Sequence, residues 1–149
     1  MYETVLWATD ASPVADGALK VAVELLQPGG RLIAFHCDER FHGGRSNGLP
    51  LLADELDRLG KLRAQVEELK EEGIDVKLLV KTTHRNTAGE IAQAAETSGA
   101  GVIVCGTRGF GVVAGAVAGS VAMRLPHVAS CPVVVVSEKA VERAALATA

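Results

Sequence analysis

A chain of 149 residues and 15.5 kDa has the size of one globular domain, which excludes a multidomain machine. Hydrophobic residues make up 48% of it and aromatic residues only 3%, with 16 glycines, a composition typical of α/β proteins and not of antiparallel sandwiches. Its 15 basic and 18 acidic residues give a net charge of −3, which offers no broad positive field, so we expect no nucleic-acid partner.

The cysteines and the first residues indicate the compartment. Cys37, Cys105 and Cys131 are an odd set without a C-x-x-C pair, which favours neither a disulfide framework nor a zinc site. Residues 1–4 lack the basic and apolar regions of a secretory signal, and no apolar run reaches the roughly 18 residues of a membrane span. We therefore expect a cytoplasmic protein without a membrane partner.

Apolar runs of strand length alternate with longer segments of helical period, a pattern that predicts repeated βαβ units. In the first half of the chain we predict a strand at 4–9, a helix from Ser12 or Pro13 to about Leu26, a strand at 31–37, a polar loop at 38–48 and a helix at 50–72. Pro28-Gly29-Gly30 is expected to stop the first helix. The charged face of the second helix is expected to be solvated.

The second half continues the alternation. We predict a strand at 74–80, a helix at 87–98, a buried strand at 101–105, a glycine-rich stretch at 106–118, a short helix from about Gly119 and a strand at 132–136. Pro126 should bend or end the short helix, because proline lacks an N–H donor. Residues 1–138 are predicted to form the single domain, and the alanine-rich residues 139–149 a frayed helix or a disordered tail.

Parallel neighbours joined by right-handed crossovers predict an open, doubly wound five-stranded parallel sheet with helices on both faces. In such sheets, ligands bind at the carboxyl ends of the strands, where the strand order reverses. The relevant ends are Thr9-Asp10 after the first strand, Cys37-Asp38 after the second, and Gly106 onward after the fourth.

The glycine-rich segment from Gly106 to Ser120 carries the strongest functional signal. Glycine lets the main chain approach a ligand closely, and Gly119-Ser120 lies where a helix begins and exposes unpaired N–H groups. An anion fits such a place, with the Ser120 hydroxyl and the Arg108 guanidinium as further donors. The alternative is that the glycines only let a strand turn tightly into a helix.

Two common phosphate-binding motifs are absent. The chain has no Gly-Lys-Ser/Thr of a Walker-type loop, and its glycines follow the fourth strand, whereas a dinucleotide-binding fingerprint follows the first. These observations argue against kinase and dehydrogenase functions.

Gly106, Gly109, Gly119 and Ser120 follow the spacing Gly-x2-Gly-x9-Gly-Ser/Thr. In this the chain resembles the nucleotide-binding branch of the universal stress proteins. Further landmarks agree: Thr9-Asp10 with Ser12 after it, His36 near the end of the second strand, and Cys131-Pro132 before the last strand. The resemblance spans about residues 2–138 and implies a Rossmann-like fold of the adenine-nucleotide α-hydrolase type.

The resemblance also implies site residues. Asp10 and Cys37 would border the adenine, and the positions beside the base and ribose would be Ala8, Thr9 and Gly106. The phosphates would be cradled by Gly109, Gly119, Ser120, Val121 and Ala122. Many binders have Ser or Thr where Ala122 stands, so the choice between ATP and AMP or a cyclic nucleotide stays open.

Other residues have simpler interpretations. Asp10 can contact a ligand, or it can cap the helix that begins near Pro13, and the two roles can coexist. His36, His42, His84 and His127 are dispersed without a metal-binding spacing, and no metal site made of protein side chains alone is predicted. Trp7 is more typical of a core residue than of a stacking platform. No catalytic residue is predicted, since Cys37 has no base beside it in sequence.

The implied function is a stress-response sensing or signalling module that binds an adenine nucleotide, ATP first among them, together with Mg²⁺. One alternative is a slow ATP hydrolase, since Arg108 and Ser120 could stabilise charge but no residue is evident to orient water. Another is a protein that binds no nucleotide and acts through protein contacts, for which Ala122 is the main argument. The apolar last strand, expected at a sheet edge, predicts a homodimer.

Overall fold

The computed structural model describes residues 1–39, 49–83, 86–107 and 119–148, and at 39 and 49–53 it describes the main chain alone. These residues form five strands and five helices. In chain order they are β1 (Tyr2–Thr9), α1 (Pro13–Leu25), β2 (Leu26–Glu39), α2 (Leu49–Glu71), β3 (Asp75–Thr83), α3 (Thr87–Ser98), β4 (Val102–Gly106), α4 (Ser120–Val128), β5 (Val133–Val136) and α5 (Glu138–Ala147). The predicted strands and first four helices all appear in the predicted order.

The strands form one parallel sheet in the order β3-β2-β1-β4-β5. From β1 the chain winds outward through β2 to β3, and then returns to the other side of β1 to add β4 and β5. The strand order therefore reverses between β1 and β4. This topology confirms the predicted doubly wound fold. In folds of this kind, ligands bind at the carboxyl ends of the two strands between which the order reverses.

Two apolar layers cover the sheet, because successive side chains of a strand point to opposite faces. Val5 and Trp7 pack in the layer that contains α1 and α2, and Leu6 and Ala8 pack in the layer that contains α3 and α4. The central strands thus contribute apolar side chains to both faces, as the continuous apolar runs predict.

Strand β2 begins earlier than predicted. Helix α1 ends at Leu25, close to the predicted end, and the chain becomes extended at once, with Leu26 paired to Tyr2. The register then shifts between Tyr2 and Thr4, which accommodates the Pro28-Gly29-Gly30 segment. Gly29 has a φ of 74°, a conformation that favours glycine. The proline and glycines therefore lie in an irregular strand start and not at the helix end.

Pro126 does not end α4. The helix runs two residues further, to Val128, and the Ala129 N–H donates to the Leu125 carbonyl at 2.9 Å. A proline one turn from a helix end removes only one main-chain hydrogen bond, so the short remainder of the helix can close.

The alanine-rich tail forms helix α5, capped by the Ser137 side chain, which accepts from the Ala140 N–H at 3.2 Å. None of its residues is buried. It touches α1 where Gly17, which lacks a side chain, lets Val141 approach. The domain boundary at 138 and the fraying of the tail stay predictions.

Candidate functional site

The strand register brings the predicted ligand residues of β1, β2 and β4 to one edge of the sheet. Thr9 pairs with His36, so Asp10, the residue after β1, lies beside Cys37. The expectation that β2 ends at Cys37 is wrong: β2 continues to Glu39, because residues 37–39 still pair with β3. Ala8 pairs with Cys105, so Thr9 lies next to Gly106. Residues predicted from three separate segments are thus neighbours at the point where the strand order reverses.

Helix α4 begins at the same edge. The Gly119 N–H donates to the Thr107 carbonyl, and the Thr107 N–H donates to the Val136 carbonyl at 2.9 Å. These bonds hold the start of α4 to the end of β4. Gly119 is the N-cap and has no side chain to accept from the first-turn N–H groups, which belong to Ser120, Val121 and Ala122. The helix start therefore presents donors without a side-chain cap.

Packing explains two of the predicted nucleotide-binding residues. A Cβ on Gly106 would lie 2.8 Å from Cγ1 of Val14, so glycine is needed there for α1 to approach β4. Ala122 is 7% exposed, and its methyl group packs in the core layer with Leu125. Packing therefore explains why Gly106 is a glycine and why Ala122 is small and apolar, without any ligand. Ala122 can offer a ligand only its main-chain N–H.

The turn from β1 into α1 is closed by short side chains. Thr9 Oγ1 accepts from the Ala11 N–H at 3.0 Å, and Asp10 Oδ1 accepts from the Ser12 N–H at 3.0 Å. The N-cap of α1 is Ser12, whose Oγ accepts from the Ala15 N–H at 3.3 Å. The alternative that Asp10 caps this helix is therefore wrong: its carboxylate closes the preceding turn.

Helix α2 reaches the same turn through side chains that the sequence reasoning missed. His36 is 1% exposed, with Nδ1 at 2.9 Å from the Thr9 carbonyl and Nε2 at 2.6 Å from Oε1 of Glu55. Lys61 Nζ donates to the Ala11 carbonyl at 2.8 Å and to Asp16 Oδ2 at 2.7 Å. The expectation that the charged face of this helix is simply solvated is wrong for Glu55 and Lys61. The one signal in the sequence was His36 itself, because a histidine on a buried strand needs a hydrogen-bond partner.

A cleft of about 310 Å³ opens beside the turn, lined by Ala11, Pro13, Asp57, Arg58 and Lys61. None of the predicted adenine or phosphate residues lines it. We therefore assign it no ligand.

Several predicted residues lie outside the described part of the chain, namely Arg108, Gly109, His42 and His84. Within the described ranges, no three His, Cys, Asp or Glu side chains are grouped to hold a metal ion. Burial raises the pKa of the Cys105 thiol to about 11, which makes it a poor nucleophile near neutral pH. In the same ranges, no helix is both long and apolar enough to cross a membrane.

Residues 1–137 match the sequence profile of the Universal stress protein family. The chain belongs to this family. A curated relative, the "Universal stress protein in QAH/OAS sulfhydrylase 3'region" of Thermus aquaticus, is 34% identical over 139 residues, which cover 91% of this chain and 99% of the relative. The family resemblance read from the glycine spacing is thereby confirmed.

Solved universal stress proteins have the same fold. UspA from Lactobacillus plantarum superimposes with a TM-score of 0.73 at 20% identity, over 91% of this chain and 97% of that one. A family member from Arabidopsis thaliana with AMP bound gives 0.65 at 20% identity, over 93% and 94%. A universal stress protein in complex with cAMP gives 0.59 at 20% identity, over 91% and 96%. Some structural neighbours of this universal stress protein thus hold an adenine nucleotide.

Proposed function

We propose that this universal stress protein binds an adenine nucleotide, ATP first among them, as a sensing or signalling module of the stress response. The observation that carries the proposal is the start of α4, where N–H groups without a side-chain cap are held against the end of β4, and β4 is paired with β1. An oxyanion at such a helix start also gains roughly 0.3–1 kcal/mol per charge from the helix dipole.

The proposed roles follow the family resemblance. Asp10 and Cys37 border the adenine, and the residues beside the base and ribose are Ala8, Thr9 and Gly106. The phosphates meet Gly109, Gly119, Ser120, Val121 and Ala122, with Arg108 as a charged donor. The AMP and cAMP complexes of the structural neighbours support an adenine nucleotide as the ligand class. Mg²⁺ would enter with the nucleotide, coordinated by its phosphates and water, since the described residues provide no cluster of ligands.

Mass spectrometry of the small molecules that co-purify with the protein tests this proposal. The protein is purified without added nucleotide and denatured, and the released compounds are compared with those from a Gly119→Val variant prepared in parallel. We expect an adenine nucleotide from the wild-type protein and much less from the variant. Equal amounts from both proteins would contradict the assignment of the phosphate site to the start of α4.

Replacing Ser120 by alanine is expected to weaken nucleotide binding by about 0.5–1.5 kcal/mol, because one neutral hydrogen bond from its exposed hydroxyl is lost. The main-chain donors remain, so binding persists. Isothermal titration of both proteins with the same nucleotide measures the difference. Ser98→Ala is a matched control, since this hydroxyl donates to the Ala94 carbonyl at the far end of α3. Equal affinities of Ser120→Ala and wild type would show that the Ser120 hydroxyl does not contact the nucleotide.

We also propose that the protein forms a homodimer through β5. This strand lies at one edge of the sheet, and its sequence is Val-Val-Val-Val with Val135 37% exposed. An apolar edge strand presents unpaired main-chain groups that a second copy can pair with across a two-fold axis.

Light scattering at tens of micromolar protein is expected to give the mass of a dimer, because this concentration is well above a micromolar dissociation constant. Val135→Lys should shift the protein toward the monomer, because a charge on an edge strand opposes pairing. Val80→Lys is the matched control, on the opposite edge strand β3 at a similarly exposed valine. A monomeric wild-type protein, or an equal effect of both substitutions, would contradict the β5 dimer.

A further inference from the structure

Two side chains of α2 act on two carbonyls of one turn. The β1–α1 turn comprises Thr9, Asp10, Ala11 and Ser12. Its Thr9 carbonyl accepts from His36, whose other ring nitrogen contacts Glu55, and its Ala11 carbonyl accepts from Lys61. Glu55 and Lys61 lie six residues apart on the same helix. The turn is thus held from outside at two points, in addition to its internal hydrogen bonds.

The protons of His36 make this chain of contacts directional. A carbonyl oxygen only accepts, so Nδ1 carries a proton and donates to Thr9. The 2.6 Å contact between Nε2 and Oε1 of Glu55 then needs one further proton between these atoms, whichever of them carries it. Without Glu55, the buried Nε2 loses its hydrogen-bond partner, and the ring loses one of the two contacts that fix its orientation.

The turn needs such restraint because of Ala11. Its φ of 64° lies in the left-handed region, which a residue with a Cβ seldom adopts, and Ala11 is buried. Strained main chain of this kind persists only where its surroundings determine it. Lys61, which also pairs with Asp16 in the first turn of α1, provides that restraint at the Ala11 carbonyl.

We propose that Glu55, acting through His36, and Lys61 are positioning residues that set the β1–α1 turn for the adenine nucleotide. This inference rests on the proposed function, since Thr9 and Asp10 of the turn are proposed to lie beside the base and ribose. Neither Glu55 nor Lys61 needs to touch the nucleotide. Each fixes one carbonyl of the β1–α1 turn, and the turn contacts the nucleotide.

The test compares Glu55→Ala, Glu55→Gln and the control Glu67→Ala. Glutamine keeps a donor that can meet Nε2 of His36, whereas alanine does not. Glu67 lies on the same helix, is exposed, and pairs only within the helix with Lys70 at 2.8 Å among the described contacts. Amide hydrogen exchange of Ala11 and Ser12, followed by NMR, reports on the turn itself because their N–H groups close it.

We expect Glu55→Ala to speed the exchange of both amides about three- to tenfold and to weaken AMP affinity by a similar factor, the size expected for one lost hydrogen bond. Glu55→Gln should restore both quantities, and Glu67→Ala should change neither. If Glu55→Ala fails to fold, Lys61→Met carries the same test through the Ala11 carbonyl, with the His36–Glu55 contact left in place.

Wild-type exchange rates at Ala11 and Ser12 in the folded Glu55→Ala and Lys61→Met variants would overturn the inference. So would a loss of affinity with Glu55→Gln as large as with Glu55→Ala. A wild-type protein that binds no nucleotide would instead refute the proposed function, and the exchange rates would still decide whether α2 positions the turn.

Discussion

Replacing Gly119 by valine is expected to weaken adenine-nucleotide binding by roughly 100-fold or more, because several main-chain hydrogen bonds to the phosphates are lost together. Gly119 has φ −64° and ψ 150°, an extended conformation that any residue adopts. The substitution therefore introduces no main-chain strain, and its effect arises from the side chain that blocks the helix start. The same loss is predicted for Gly109, which lies outside the described residues.

Isothermal titration with ATP and AMP measures this loss, with circular dichroism as the check that the variant is folded. Gly60→Val is the matched control: Gly60 lies within α2, and a Cβ there would meet no atom within 4 Å. It should bind like the wild type. Undiminished binding by a folded Gly119→Val protein would show that the start of α4 does not bind the phosphates.

The largest expected effect on stability is that of Trp7→Ala. Trp7 is fully buried in the layer between the sheet and helices α1 and α2, and its indole N–H donates to the Ala15 carbonyl at 2.9 Å. Removal of such a side chain leaves a cavity and typically costs about 3–5 kcal/mol. The prediction that Trp7 is a core residue is confirmed by this burial. We expect the free energy of unfolding to fall by that amount.

Urea unfolding followed by circular dichroism measures this free energy, since the variant has lost the only tryptophan of the chain. Leu56→Ala is the control, because Leu56 is a large apolar residue on the exposed side of α2. It should change the free energy of unfolding by less than about 0.5 kcal/mol. A Trp7→Ala protein as stable as Leu56→Ala would contradict the assignment of Trp7 to the core.

The sheet could be predicted because its strands are continuous apolar runs separated by helices of clear period. The carboxyl ends of the first, second and fourth strands were predicted to matter, and the register places Thr9 beside both His36 and Gly106. This follows from the rule that parallel strands end at one edge of the sheet, which needs no knowledge of side-chain contacts.

The sequence could not predict the contacts that join segments far apart in the chain. Glu55 and Lys61 resemble any solvated charge on a helix face, and only the fold shows that they meet His36 and the Ala11 carbonyl. The cap of α1 shows the same limit, because Asp10 and Ser12 are both good N-caps in sequence. The early start of β2 depends on its pairing with Tyr2, which no local pattern reveals.

Gly106 shows why a motif alone does not separate packing from binding. Its place in the glycine pattern is explained in part by Val14, which leaves no room for a Cβ. Gly119 has an extended main-chain conformation that does not require glycine. Gly119 is thus the better position at which to test ligand approach.

Calorimetric titration of the purified wild-type protein, freed of bound small molecules, with AMP, ADP, ATP and cAMP tests the central claim most directly. We expect saturable heat with at least one of these nucleotides, at one site per chain, and its loss in Gly119→Val. Absence of heat with all four nucleotides would contradict the account, because the helix start at the end of β4 would then bind no adenine nucleotide.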